Sequence, residues 1–229
     1  GYPDGEDLPL NLLFEYVKRT SERISAPLSV DFEEGFGRNP DEVAKQVKTL
    51  ISCGAVGLNI EDTYFSQTQS LADIDYFCEI IRAISQVRQS SRIPFVINAR
   101  VNTHWYPVHS TSNLLSNAIE RSNLCLAAGA DCAFVPGISA LDDIKTVVKE
   151  TKGPVNILAS KDCPSVQALQ DLGVARVSIG STAARAMLGR LQGVINELQG
   201  AGTYSALYEQ TIPYAEANKI FERDRVSGN

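Results

Sequence analysis

The sequence predicts an α/β protein built on a parallel β-sheet. Short apolar segments alternate with segments of helical periodicity along the 229 residues, and this alternation is typical of β-α-β units with right-handed crossovers. The apolar segments are hydrophobic at consecutive positions, as expected of strands that are covered on both faces. Two of them end in carboxylates, which places candidate ligand-binding residues at the carboxyl ends of strands.

Six strands are predicted, and each is followed by a helix. A helix over 8–24 precedes the first strand. The strand–helix pairs then cover 28–33 and 41–53, 56–61 and 70–87, 94–101 and 111–128, 132–135 and 140–150, 155–159 and 165–172, and 176–180 and 181–198.

Capping residues and periodic apolar positions support the helix boundaries. Asn39-Pro40 suits a helix start, and Gly129 and Gly173 suit two helix ends. The helix over 70–87 is predicted from an apolar face that begins at Leu71. A last helix is predicted over 213–223.

The pattern of strands and helices leaves two closures open, a doubly wound open sheet and a (β/α)₈ barrel. A helix comes before any strand, and residues 1–5 look like the end of a strand–loop unit. A (β/α)₈ TIM-type barrel that lacks its first two strands would have this appearance. We predict one domain over 1–229, with a C-terminal helical extension over 204–229.

Composition excludes several classes of protein. A net charge of −6 offers no basic surface for nucleic acid or for an anionic membrane. No apolar run approaches the 18 or so residues of a membrane span. The five cysteines are widely spaced and form no CxxC pair, which favours reduced thiols and a cytoplasmic location.

Carboxylates at the ends of the first two strands predict a metal site. Asp31 and Glu33 are two residues apart, so they share a face of the first strand, and Glu61 ends the second strand. An oxygen-rich cluster of this kind suits a hard divalent cation. Arg100, at the end of the third strand, offers a planar fork to an anionic substrate. The alternative is a purely structural ion pair between Arg100 and Glu61.

Several motifs together resemble the isocitrate lyase/phosphoenolpyruvate mutase superfamily. The resemblance implies a (β/α)₈ barrel, Mg²⁺ (or Mn²⁺) as cofactor, and a small 2-oxo acid or its phosphonate as substrate, handled through a metal-stabilised pyruvate enolate by a lyase or mutase. It rests on the segments Gly1-Tyr2-Pro3-Asp4, Val30-Asp31-Phe32-Glu33-Glu34-Gly35-Phe36-Gly37, Gly54-Ala55-Val56-Gly57-Leu58-Asn59-Ile60-Glu61-Asp62, Asn98-Ala99-Arg100, Ala128-Gly129-Ala130-Asp131 and Gly173-Val174-Ala175-Arg176-Val177-Ser178.

The resemblance also implies roles for individual residues. Asp31 would bind the metal directly, and Glu33, Glu61 and Asp4 would hold metal-bound waters. Arg100 would bind the anionic end of the substrate. The predicted catalytic residues are Arg100 and Glu61, and the predicted substrate-binding residues are Arg100, Asn98 and Thr63.

The departures from the superfamily pattern matter as much. Carbon–carbon lyases of the superfamily carry a loop with a catalytic cysteine and histidine, whereas residues 63–69 contain no cysteine, lysine or histidine. Asn102 stands where an aspartate is common. A true isocitrate lyase is therefore not expected, and the bond that is broken stays open. Two other functions remain: a catalytically silent 2-oxo acid binding protein, and a metal-independent phosphate-binding barrel enzyme that uses the amides of Gly180-Ser181.

Other candidate groups have ordinary structural explanations. Cys163 and Lys161 lie in a loop after the fifth strand, and His104 and His109 follow Arg100; packing or solvation is the simpler role for each. In the last helix, an apolar face predicts an interface in a homodimer or homotetramer. Its residues are Tyr214, Ala217, Ile220 and Phe221.

Overall fold

The computed structural model describes residues 1–64, 70–106 and 113–222. Within these ranges, six parallel strands form one sheet in the order β1-β2-β5-β6-β7-β8, and β3 pairs with β4 in a separate antiparallel hairpin. The strands are β1 (Ser29–Asp31), β2 (Gly57–Glu61), β3 (Thr63–Tyr64), β4 (Ser70–Leu71), β5 (Val96–Arg100), β6 (Cys132–Val135), β7 (Val155–Leu158) and β8 (Arg176–Ser178).

Helices follow each strand of the parallel sheet, as predicted. The helix α2 begins after Asn39, whose side chain accepts a hydrogen bond of 3.0 Å from the Glu42 amide. The helix α4 ends at Gly129, which adopts a φ of +118°. The helices are α1 (Leu10–Ser21), α2 (Pro40–Ser52), α3 (Ile74–Ser91), α4 (Leu114–Ala128), α5 (Leu141–Glu150), α6 (Val166–Asp171), α7 (Thr182–Gly200), α8 (Ser205–Tyr208) and α9 (Tyr214–Ile220).

The strand order decides between the two predicted closures. A doubly wound sheet reverses its strand order at a switch point, whereas the parallel strands here follow one another in chain order. The parallel sheet is therefore curled into part of a TIM-like barrel, which confirms the predicted α/β barrel class at this coarser level. Its two ends are β1 and β8.

The register of the parallel strands brings the predicted site residues to one edge. Asp31 is paired with Asn59, and Glu61 is paired with Arg100. Because parallel strands present their carboxyl ends to the same side, these side chains can converge above the sheet. Beneath them, the core is closed by fully buried residues, among them Phe32 and Ile60.

One predicted helix begins later than its apolar pattern suggested. The helix predicted from residue 70 starts at Ile74, and Ser70–Leu71 instead form β4. Asp73 sets the start because its carboxylate accepts hydrogen bonds from the amides of Asp75 at 2.9 Å and Tyr76 at 3.2 Å. The placement of Leu71 on a helical face was therefore wrong.

The chain divides into two compact units, Gly1–Ser178 and Ile179–Asn229. The first unit contains the whole parallel sheet, and the second contains α7, α8 and α9. The prediction of a single domain with an extension over 204–229 stays a prediction. Among the described residues, no helix combines the length and apolar character that crossing a bilayer requires.

The C-terminal helix presents the apolar residues on which an interface was predicted. Tyr214 and Phe221 are 85% and 82% exposed, and Ile220 is 65% exposed. We expect the protein to form a homodimer or homotetramer through this helix, because large exposed apolar side chains are stabilised by burial. Light scattering at micromolar concentration should report an oligomer, and deletion from Tyr214 onward should shift it toward monomer. A monomeric wild-type protein would contradict this expectation.

Candidate active site

Five of the predicted site residues line one small cavity of about 130 Å³. Its walls come from the N-terminal segment, from the ends of β1, β2 and β5, and from the loop after β5. The lining residues are Asp4, Gly5, Asp31, Glu33, Glu61, Arg100, Trp105 and Tyr106. The structure therefore brings together all four predicted metal-binding carboxylates and the predicted anion-binding arginine.

The loop after β1 fastens the N-terminal segment to the site. The prediction that Glu33 shares a face of the first strand with Asp31 was wrong, because β1 ends at Asp31 and Glu33 lies in the following turn with a left-handed φ of +45°. From this turn its Oε2 accepts hydrogen bonds from the amides of Gly5 at 2.8 Å and Glu6 at 2.6 Å. These bonds hold Asp4 beside the strand ends. Gly35 closes the turn with a φ of +105°, and a Cβ atom there would lie 2.7 Å from Val43 Cγ1. Glycine is therefore required at this position.

Arg100 is held by several partners at once. Its guanidinium forms an ion pair with Glu61 at 3.2 Å, and its Nε donates a hydrogen bond of 2.9 Å to Asn102 Oδ1. The guanidinium also lies 4.6 Å from the centre of the Trp105 ring, a cation–π contact. The predicted ion pair between Arg100 and Glu61 is present, and both of its members line the cavity.

The charges of the small cavity are unbalanced. Burial raises the pKa values of Asp31, Glu33 and Glu61 above their usual range. Arg100 lowers those of Asp31 and Glu61 in part, while Asp4 acts in the opposite sense on Asp31 and Glu33. A divalent cation among these oxygens would offset both the desolvation and the mutual repulsion.

The donor atoms of the small cavity are oxygens, which are the ligands that hard divalent cations such as Mg²⁺ prefer. Across the described ranges, no three His, Cys, Asp or Glu side chains are arranged to enclose a metal directly. Mg²⁺ commonly binds proteins through one or two carboxylates and keeps several waters. The direct role of Asp31 and the water-mediated roles of its neighbours stay predictions.

A buried ion pair supports the site from below. Asp62 is fully buried, and its Oδ2 accepts a hydrogen bond of 2.7 Å from Arg121 Nε. Its Oδ1 accepts a bond of 2.8 Å from the Asn102 amide, and the Asn102 side chain donates at 2.8 Å to Glu61 Oε2. Arg121 also donates at 2.9 Å to the Ala72 carbonyl. Asp62 and Arg121 thus fix the residue that bridges Arg100 and Glu61.

Sequence reasoning missed Arg121. A signal was available, because Arg121 lies on α4 among Ala118, Ser122 and Cys125, all of which are buried. A cation inside such a small-residue face needs a buried anionic partner. Neither the identity of that partner, 59 positions earlier, nor its link to Asn102 can be read from the pattern.

Two predicted substrate-binding residues lie outside the small cavity. Asn98 is fully buried within β5, and its side chain donates a hydrogen bond of 2.6 Å to Asn59 Oδ1. Thr63 lines a different, larger cavity of about 640 Å³. A substrate-binding role for each stays a prediction.

The remaining candidate groups are placed as follows. His104 is partly buried, burial lowers its pKa, and its Nδ1 lies 3.3 Å from Thr103 Oγ1. Lys161 is exposed, and Cys163 packs against the core. Ser181 stands at the N-cap of α7 without a side-chain capping bond. His109 lies outside the described residues.

Curated relatives share sequence with part of this chain. An uncharacterized protein of Mycobacterium tuberculosis strain H37Rv is 36% identical over 155 residues, which are 67% of this chain and 54% of that protein. The oxaloacetate decarboxylase of Rhodopseudomonas palustris strain HaA2 is 29% identical over 159 residues, or 68% of this chain and 52% of the enzyme. The chain thus spans about half the length of these relatives.

Solved structures share its fold. The “putative lyase/mutase” of Burkholderia cenocepacia J2315 superposes with a TM-score of 0.87 at 28% identity, covering 97% of this chain and 78% of that one. Phosphonopyruvate hydrolase, crystallised with oxalate and Mg²⁺, superposes with a TM-score of 0.79 at 24% identity, covering 95% and 76%.

A family model matches most of the chain. The model described as phosphoenolpyruvate phosphomutase matches residues 1–199, which include every residue of the small cavity. The superfamily predicted from the motifs is thereby confirmed. The chain belongs to the phosphoenolpyruvate phosphomutase family, within the lyases and mutases of the isocitrate lyase/phosphoenolpyruvate mutase superfamily.

Proposed function

We propose that this chain forms the catalytic part of a Mg²⁺-dependent lyase-type enzyme that acts on a small 2-oxo acid or its phosphonate. The observation that supports it best is the convergence of Asp4, Asp31, Glu33, Glu61 and Arg100 on one cavity of about 130 Å³. Four carboxylates beside one guanidinium offer a site for a cation and, next to it, a site for an anion.

Each residue of the cavity has a distinct task in this proposal. Asp31 binds the cation directly, and Asp4, Glu33 and Glu61 orient its waters. The cation supplies Lewis-acid stabilisation of negative charge next to a carbonyl group. Arg100 binds the substrate carboxylate or phosphonate through its planar fork, and Trp105 fixes the plane of that fork.

Two further observations support the proposal. The related phosphonopyruvate hydrolase was crystallised with oxalate and Mg²⁺, and oxalate resembles the enolate of pyruvate in shape and charge. The parallel sheet has open ends at β1 and β8 among the described residues. We therefore include in the proposal that this sheet is part of an eight-stranded (β/α)₈ barrel.

Replacement of Asp31 by alanine tests the proposed metal site. Mg²⁺ with oxalate at about 100 times the dissociation constant should raise the free energy of unfolding of the wild-type chain by about 2.7 kcal/mol. We expect Asp31→Ala to abolish this increase because the direct ligand is lost. Thermal unfolding with and without Mg²⁺ and oxalate measures this increase for the wild-type chain and for Asp31→Ala. Asp171→Ala, at an exposed position on α6, is the control, and an increase that survives in Asp31→Ala refutes the assignment.

We expect no isocitrate lyase activity. Residues 63–69 contain no cysteine or histidine to act as the general acid, and loss of a general acid typically costs about 10²–10⁴-fold in rate. An assay for glyoxylate release from isocitrate with Mg²⁺ present should stay at background. Robust release of glyoxylate would overturn this prediction.

A further inference from the structure

The Trp105 ring contacts Arg100 from a turn that begins directly after β5. The amides of Trp105 and Tyr106 both donate hydrogen bonds of 2.9 Å to the Asn102 carbonyl. Asn102 is itself fixed by the Asp62 carboxylate, which accepts a hydrogen bond of 2.8 Å from the Asn102 amide. The base of this turn is therefore held in place, and the centre of the Trp105 ring lies 4.6 Å from the guanidinium carbon of Arg100.

The indole ring has a second neighbour, which is the turn after β6. Gly137 lies in that turn and has a φ of +89°. A Cβ atom at Gly137 would lie 3.1 Å from Trp105 Nε1, 3.2 Å from Trp105 Cδ1 and 2.8 Å from His104 Cβ. The Cβ atom of His104 cannot turn away without a shift of its backbone. The turn after β5 therefore packs against a position that is open because it carries no side chain.

The strand β6 also supplies a second ring beside the guanidinium. Phe134 is paired with Arg100 in the strand register, and its ring centre lies 5.9 Å from the guanidinium carbon. Phe134 is only 4% exposed, whereas Trp105 is 45% exposed. The core thus fixes Phe134, while the position of Trp105 depends on the surface turns that it contacts.

A fixed arginine binds an anion more tightly than a mobile one. Ordering one long side chain on binding typically lowers affinity by about two- to tenfold. Arg100 avoids most of this loss if its guanidinium already lies against Trp105 before the anion arrives. The cation–π contact contributes attraction of a similar size.

We propose that Gly137 is a positioning residue for anion binding, because its lack of a side chain lets the Trp105 ring pack against the turn after β6 and stay in contact with Arg100. A side chain at position 137 would displace the ring and release the guanidinium. The inference rests on the proposed function, which assigns to Arg100 the binding of the substrate carboxylate or phosphonate.

Tryptophan fluorescence of the free protein tests the placement of the ring. Trp105 is the single tryptophan of the chain, so the emission reports on this ring alone. Gly137→Ala should shift the emission maximum to longer wavelength and increase quenching by acrylamide, because a displaced ring is more exposed to water. Unchanged emission and quenching would show that the ring tolerates a side chain at position 137, and would overturn the inference.

Gly173→Ala is the matched control for backbone strain. Gly173 has a φ of +87°, so alanine is strained there in the same way, but among the described residues its Cβ atom would meet only Val148 Cγ1, at an ordinary 3.4 Å. Both alanine variants should lower the midpoint of urea denaturation, whereas Gly173→Ala should leave the emission and quenching unchanged. An equal change of emission in Gly173→Ala would show that the signal reports strain rather than the contact with Trp105, and would overturn the assignment.

Calorimetric titration with oxalate in the presence of Mg²⁺ tests the consequence for Arg100. Gly137→Ala should weaken oxalate binding by about two- to tenfold, and Gly173→Ala should leave it unchanged. Trp105→Ala should weaken binding by a similar factor. Gly137→Ala should add little to Trp105→Ala, because the two changes remove the same contact. A full additional loss in the double variant would show that Gly137 acts independently of Trp105, and would contradict the proposal.

The fluorescence and the titration distinguish a failure of this inference from a failure of the proposed function. If the wild-type chain does not bind oxalate with Mg²⁺, the proposed function is refuted, and the emission of Gly137→Ala still decides whether the glycine places Trp105. If Gly137→Ala changes the emission and yet binds oxalate as the wild type does, the ring moves without releasing Arg100, and the positioning role is refuted.

Discussion

Replacement of Arg121 by methionine is expected to lower the free energy of unfolding by about 3–5 kcal/mol. The carboxylate of Asp62 is fully buried, and burial raises its pKa to about 6 even with Arg121 beside it. Without Arg121, Asp62 would be a buried charge whose remaining support is the Asn102 amide. Urea denaturation followed by circular dichroism measures the change. Arg19→Met, which removes an exposed ion pair with Glu15, should cost about 1 kcal/mol or less.

A double variant separates the structural role of this pair from its positioning role. Asp62→Leu with Arg121→Met replaces both charges by apolar side chains, and such replacement of a buried ion pair often restores stability. The double variant should nevertheless bind oxalate more weakly than the wild type does. The Asn102 amide has lost its acceptor, so Asn102 is no longer held in the position that bridges Arg100 and Glu61. Recovery of wild-type oxalate affinity together with stability would show that Asp62 acts on stability alone.

The sheet could be predicted because its strands differ sharply from their surroundings. The strand β6 matches its predicted bounds, and the others differ by a few residues at their ends. Errors arose where local signals competed. Around Leu71, a helical period extends back beyond Asp73, and the capping bonds of Asp73 decide the true start of α3. The short helix α8, over Ser205–Tyr208, has too few residues to show a period.

The convergence of Asp31, Glu61 and Arg100 could also be predicted, because strand ends converge in any parallel sheet, whereas Asp4 was predicted only from the family resemblance. Depth along a strand was harder to judge. Asn98 and Arg100 share a face of β5 by alternation, yet Asn98 lies two residues deeper and bonds to Asn59 inside the sheet. The bonds of Asp62 to Arg121 and to Asn102 span 59 and 40 positions. Such long-range pairing depends on how helices pack, which a local pattern does not encode.

Replacement of Arg100 by methionine is expected to weaken oxalate binding by about 10- to 150-fold, the equivalent of the 1.5–3 kcal/mol typical of a charged hydrogen bond. Mg²⁺ by itself should bind at least as tightly as before. Glu61 would lose its ion pair at 3.2 Å and become available to the cation, and the positive charge beside Asp31 that repels a second cation would be gone. Calorimetric titration with Mg²⁺ first, and then with oxalate, measures the two affinities separately.

Two further variants make the result specific to the planar fork of Arg100. Arg100→Lys keeps a positive charge but cannot bind a carboxylate through two parallel donors or stack as well on Trp105, so its oxalate affinity should fall between those of the wild type and Arg100→Met. Arg82→Met removes an exposed arginine on α3 and should leave both affinities unchanged. If Arg100→Met instead weakened Mg²⁺ binding and left oxalate binding intact, Arg100 would serve to hold Glu61 in place for the metal. Another basic side chain of the unit Gly1–Ser178 would then bind the anion. Arg176 is the first to test, because its charge also lowers the pKa of Asp31.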